Sequence, residues 1–286
     1  MEGTEQRAER RSMTGTDVRD RGSDAAEAAA FLRRSAIDAP TKPTADTLER
    51  NAWRDRPECG DPGRFVADTA LQRHIERVSQ ERGTFEAALR VNGKHVDGFG
   101  PTSGVDRQNN CVECSRAVSE TLSGRPAAAN GLRIDLGATE AAGENLDDLE
   151  VWAGRKFGKV HPVDEGLAVL QREMATKEGE SAIVAVRWKT EWEMAQSEGR
   201  AEDLRRTYEE LRSISAEHAQ MFLDDIHADR GGHAFNAVTT GGEVVLVDGQ
   251  VGRHGSVIGS EYSELIRQRA RTITWMTLEK AKRHGE

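Results

Sequence analysis

Three side chains spread along this sequence have the types that one chemistry requires: Cys111, His233 and Asp248. Cys111 follows Asn110 at the start of a stretch that reads as a helix over 111–123, closed by Gly124 and Pro126. The reactive form of cysteine is the thiolate. Unpaired N–H groups and the macrodipole at a helix N-terminus favour that form. Cys111 therefore reads as a nucleophile, while Cys114, one turn further on, points toward the buried face. Competing readings are a buried structural thiol, a redox pair and half of a zinc site. Zinc needs further ligands at metal spacing, but no second Cys pair exists and no two of His74, His95, His161, His218 and His227 form a tight pair. A redox Cys-x-x-Cys sits near a βαβ pattern, which is not evident here.

The base and its orienting carboxylate would come from a hairpin. HAFNAVTT and EVVLVDGQ are two β-rich runs around Gly241-Gly242. If those two glycines form the turn, His233 lies opposite Gln250 and Asp248 is its diagonal neighbour. If Thr240-Gly241 forms it, His233 lies directly opposite Asp248. Both registers keep imidazole and carboxylate on one face, as base and orienter require, whereas a three-residue loop would separate them. The competing reading is a strand-edge His and a turn Asp, since Asp-Gly is a common turn dipeptide. Gly231 and Gly232, just before the His, suit either a close approach of backbone and substrate or the stop of the preceding helix. For an oxyanion, the Cys111 N–H is the natural donor. Gln108, Asn110 and Gln250 are the side-chain candidates for the oxyanion or the substrate, with Asn110 also readable as the helix cap.

Other elements must hold these residues in place. Phe65, Val66, Leu71, Ile75 and Val78 recur at helical spacing, which predicts an amphipathic helix over 65–82. Residues 83–90 extend it or form a second one, and 91–104 are turn-rich. The acidic stretch 130–180 reads as mostly helical, with a helix at 163–177. SAIVAVRW (181–188) reads as a buried strand, 200–227 as one long amphipathic helix or two, and RTITWMTLE (271–279) as a closing strand. Residues 1–62, polar and broken by prolines, read as a disordered leader, and 63–286 as the catalytic domain.

Composition narrows the partners. The 286 residues carry 36% hydrophobic and 31% charged side chains, enough for one sizeable core. The net charge is −9, with no Lys/Arg-rich run interleaved with aromatics, so nucleic acid is not an expected partner. No apolar run approaches the 18 residues of a membrane span, and the N-terminus lacks a signal-peptide core. Three cysteines, Cys59, Cys111 and Cys114, are not a disulfide framework. The expected location is the cytoplasm, or export without a cleaved signal.

NCVECSRAVSETLSGRPAAA (110–129), GESAIVAVRW (179–188), GGHAFNAV (231–238) and GGEVVLVDGQVG (241–252) together resemble the bacterial papain-fold toxins of glutamine-deamidase type, over about residues 100–280. The resemblance implies an α+β papain-like fold, with a Cys-bearing helix packed on an antiparallel sheet that carries His and Asp. It implies Cys111, His233 and Asp248 as a catalytic triad. It further implies deamidation of a glutamine on a target protein through a thioester, an effector role, no cofactor or metal, and a cognate immunity or chaperone protein. Kept open beside it are a peptidase or acyl-transferase in an intracellular or biosynthetic role, and a catalytically silent binding module.

Overall fold

The computed structural model describes residues 65–93, 105–135 and 143–278. The leader 1–62, Cys59 and most of the turn-rich stretch therefore lie outside the described residues. The described part opens with strand β1 (Phe65–Val66) and helices α1 (Thr69–Arg82) and α2 (Thr84–Ala88). Phe65 and Val66 were expected to open the helix. Asp68 prevents this, because its side chain accepts the Leu71 N–H at 2.9 Å and fixes the helix start one residue later. Next come β2 (Val105–Asp106), α3 (Cys111–Leu122) and β3 (Gly131–Arg133). β3 pairs antiparallel with both β1 and β2 in a small sheet.

The expected mostly helical middle is mixed. A short α4 (Asp147–Ala153) and a two-residue strand β4 (His161–Pro162) precede α5 (Val163–Met174). Strand β5 (Ser181–Trp188) follows as read, and then α6 (Glu191–Ser197), α7 (Ala201–Ile214) and α8 (Ala216–Ile226). The stretch 200–227 divides because Ser215 adopts an extended conformation and its side chain caps α8. The chain closes with β6 (Gly232–Thr240), β7 (Glu243–Asp248), β8 (Arg253–Ser256), α9 (Glu261–Arg269) and β9 (Ala270–Leu278).

Strands β4-β9-β5-β6-β7-β8 form the main sheet, antiparallel at every pairing. The fold is thus α+β, helices against an antiparallel sheet. Both faces of the sheet are covered, which is why β5 is an almost unbroken apolar run. Ala182, Val184 and Val186 join a cluster with Leu167, Leu170 and Met174 of α5, and with Tyr262 and Ile266 of α9. Ile183 turns the other way, into a cluster with Val112 of α3, Ala234 and Met276. Each fully buried Leu, Ile or Val contributes about 1.5–3 kcal/mol. Among the described residues no helix is long and apolar enough to cross a membrane.

Helix α3 departs from the expected single buried face: its residues from Val112 through Thr121 are all buried. Its charged residues survive burial by pairing. Arg116 meets Glu113 at 3.2 Å and donates to Ala128 O at 3.3 Å, while Glu113 accepts the Asn130 N–H at 3.2 Å.

Candidate active site

Cys111 is the first residue of α3 and is half-buried. As the N1 position, its N–H has no acceptor within the helix. The next two N–H groups, of Val112 and Glu113, both donate to Glu144 Oε2, at 2.9 and 3.1 Å. The cap therefore comes from a distant carboxylate and not from Asn110. Cys114 is fully buried. Burial, reinforced by the Glu144 and Asp248 charges, pushes its thiol well above the ordinary value. Cys114 is accordingly a protonated core thiol.

The hairpin takes the Gly241-Gly242 turn, with Thr240 opposite Glu243 and Asn236 opposite Val247. In that register Asp248 is the diagonal neighbour of His233, on the face that also carries Phe235 and Leu246. His233 Nε2 lies 2.6 Å from Asp248 Oδ2. The Cys111 sulfur lies close enough to the same imidazole to help raise its pKa. Because Nε2 is held by the carboxylate, Nδ1 is the nitrogen left for sulfur. His233 is only the second residue of β6, so helix α3 can reach it at the end of the sheet. Gly232 lets this happen through backbone contact: a Cβ there would lie 2.4 Å from Val186 O of β5. Of the two roles open for the glycine pair, Gly232 serves strand-to-strand approach, while Gly231 adopts a positive φ of 69° before the strand.

Asp248 is 2% exposed, yet four donors surround it. Oδ2 accepts from His233 and from the Tyr262 hydroxyl, at 2.6 Å each. Oδ1 accepts the Gln250 and Val251 N–H groups at 3.0 and 3.3 Å. Burial alone would raise this carboxyl. The His233 charge and the hydrogen bonds outweigh burial and hold it below the usual carboxylate range. Burial likewise disfavours the imidazolium, but the Asp248 charge and bond, together with the Cys111 sulfur, push His233 up to about 10. At neutral pH the pair is imidazolium and carboxylate. Trp188 stacks over the imidazole at 6.0 Å and 15°, and Phe235 lies 5.8 Å from it.

Two of the three side-chain amides considered from sequence, those of Asn110 and Gln250, are engaged within the fold. Gln250 Nε2 donates to Gln108 O at 2.7 Å and to Asn110 Oδ1 at 3.4 Å. Asn110 Nδ2 donates to Asn92 Oδ1 and Asn130 O, both at 2.9 Å. Asn92 Nδ2 closes the network on Arg107 O and Gln250 O, at 2.8 and 3.0 Å. Each primary amide has two N–H donors, so Asn110 and Gln250 have none left for an oxyanion. They clasp the residue before the cysteine to the residues after the aspartate. The Gln108 side chain is exposed; its main chain carries the contacts. Of the donors considered for an oxyanion, the Cys111 backbone N–H and the exposed Gln108 amide are the ones not engaged in this network.

Four contributors escaped the sequence reading: Tyr262, Trp188, Asn92 and Asn236. Asn236, fully buried in β6, donates to Ser115 O and Ser119 Oγ of α3, at 3.1 and 2.7 Å. A polar residue inside an apolar strand run is the one local signal that could have revealed it. Among the described residues no group of three His, Cys, Asp or Glu side chains converges on a metal position.

The sequence profile of a family described as papain fold toxin 1, glutamine deamidase, matches residues 109–253. That span starts two residues before Cys111 and ends beyond Asp248. No curated protein and no solved structure matches.

Proposed function

The chain belongs to the papain fold toxin 1, glutamine deamidase family, and on that premise we propose that it is a cysteine-dependent amidohydrolase that converts a glutamine side chain of a target protein to glutamate. The observation that carries this reading is the Cys111–His233–Asp248 chain of contacts, made between a helix N-terminus and a hairpin.

In the proposed cycle the imidazole holds the proton taken from Cys111, and Sγ attacks the amide carbon of the glutamine side chain. The Cys111 N–H receives the developing oxyanion. The C–N bond then breaks as His233 protonates the leaving nitrogen, releasing ammonia and leaving a thioester. Water enters, His233 removes its proton, and attack on the thioester carbon releases the glutamate carboxylate and regenerates the sulfur nucleophile. Asp248 stays ionised and holds the imidazole in orientation. No cofactor enters these steps. A cognate immunity or chaperone protein is part of the same proposal, by family likeness alone.

The first test is brief iodoacetamide labelling near neutral pH, read by intact mass. Single fast labelling that vanishes in Cys111→Ala and slows at least about tenfold in His233→Ala is expected. Slow labelling, equal with and without His233, would refute an activated nucleophile. Incubation with candidate target proteins then separates reactions: a one-dalton gain with ammonia marks deamidation, and chain cleavage or amine incorporation marks a peptidase or acyl-transferase.

A further inference from the structure

Tyr262 is placed to govern the proton chemistry, although it touches neither sulfur nor substrate. It is the second residue of α9, whose first turn is fixed by a reciprocal cap between Ser260 and Ser263. It is 6% exposed, and its ring meets the Phe235 ring edge-on at 5.8 Å. Its hydroxyl donates to Asp248 Oδ2 at 2.6 Å, the oxygen that also holds His233 Nε2. The other three donors to Asp248 come from the hairpin and its immediate turn. Tyr262 alone arrives from a separate element.

We propose that Tyr262 is a positioning residue for the reaction: by sharing Asp248 Oδ2 with His233 it fixes the carboxylate and limits how tightly Asp248 binds the imidazolium proton. An oxygen that accepts two hydrogen bonds offers less charge to each. Without the hydroxyl, Oδ2 would turn its full charge on the imidazolium, which must release a proton to departing ammonia. Burial, followed by the Asp248 charge, keeps the phenol far above its ordinary value, so it acts only as a neutral donor. The other titratable or charged groups facing the pair are Cys111 and Cys114 of α3 and, across β7–β8, Arg253. On β5, Arg187 is engaged at the surface by Asp229.

The inference rests on the cysteine-hydrolase reading, and the test keeps the two apart. The His233 imidazole is followed by 15N NMR against pH in the full chain and in Tyr262→Phe, which retains the ring. The expected result is a titration midpoint raised by about one pH unit in Tyr262→Phe, a tenfold gain in proton affinity. The chain has two tyrosines. In a Tyr208→Phe background, 3-fluorotyrosine at position 262 makes a stronger donor and should move the midpoint down. This second variant does not depend on the Phe variant folding. A midpoint that stays put or moves down in Tyr262→Phe, with Cys111 labelling still dependent on His233, would overturn the role of Tyr262 alone. A wild-type imidazole titrating near its free value, with labelling indifferent to His233, would overturn this inference and the hydrolase reading together.

Discussion

Asn236→Ala tests how Cys111 is held against His233. Asn236 joins β6 to α3 by two hydrogen bonds from one buried amide, to Ser115 O at 3.1 Å and Ser119 Oγ at 2.7 Å. His233 lies three residues away on the same strand, so this clamp sets the spacing between the cysteine helix and the histidine strand. Two neutral buried hydrogen bonds contribute about 1 kcal/mol each. The truncated side chain leaves a small void, adding up to about 1 kcal/mol. Among the described residues Asn236 Oδ1 has no partner, and its removal offsets part of the loss. The net expectation is about 2 kcal/mol. At about 2–4 °C per kcal/mol for a chain of this size, Tm falls by about 4–8 °C. Because a small misplacement of reacting groups is costly, Cys111 labelling should slow about tenfold even well below Tm. Scanning calorimetry and timed iodoacetamide labelling read the two effects. A Tm within about 1 °C of wild type, with unchanged labelling, would show that the clamp positions nothing.

Two further predictions concern the same end of the sheet. His233 is raised from 6.5 toward about 10, so its pairing stabilises fully below 6.5 and fades as pH rises through about 10. Asp248 is lowered from 3.8, so its share is present above 3.8 and is lost as pH falls through its lower folded value. The pair thus contributes most between 3.8 and 6.5. Asp248→Asn should cost about 3–5 kcal/mol at pH 6, and the gap from wild type in thermal melts should narrow toward pH 10; a gap independent of pH would contradict this. Gly232→Ala places a methyl 2.4 Å from Val186 O and should cost about 1–3 kcal/mol by forcing β6 from β5. Gly231→Ala meets open space, so it costs only its positive φ and should slow Cys111 labelling less than Gly232→Ala; equal slowing would be the adverse result.

The sequence was legible where a pattern is local. β5 is an apolar run bounded by Gly179, the hairpin is marked by its glycine pair, and α3 starts after Asn110. Of the hairpin registers open from sequence, both two-residue turns put His233 and Asp248 on one face and a three-residue loop would have parted them; the structure takes the Gly241-Gly242 turn. What remained hidden depends on partners remote in the chain. The charges of Glu113 and Arg116 resemble a solvated face until the chain around Ala128 and Asn130 covers them. Asn110 looks like a cap until Asn92 and Gln250 claim its amide. Helix α9, with Tyr262, lies in a short polar stretch whose capping serine gave no sign of the buried phenol behind it.

The cap of α3 has a consequence for the order in which reactivity is acquired. Its first turn owes its acceptor to Glu144, 32 residues beyond Val112, and its base to a hairpin much later still. A chain emerging from the ribosome therefore carries Cys111 without its helix cap or its histidine partner until Glu144 and then the hairpin have been made. His233 and Asp248 join Cys111 only when the late hairpin has been made, so on the hydrolase reading proposed above the unfinished chain stays chemically quiet.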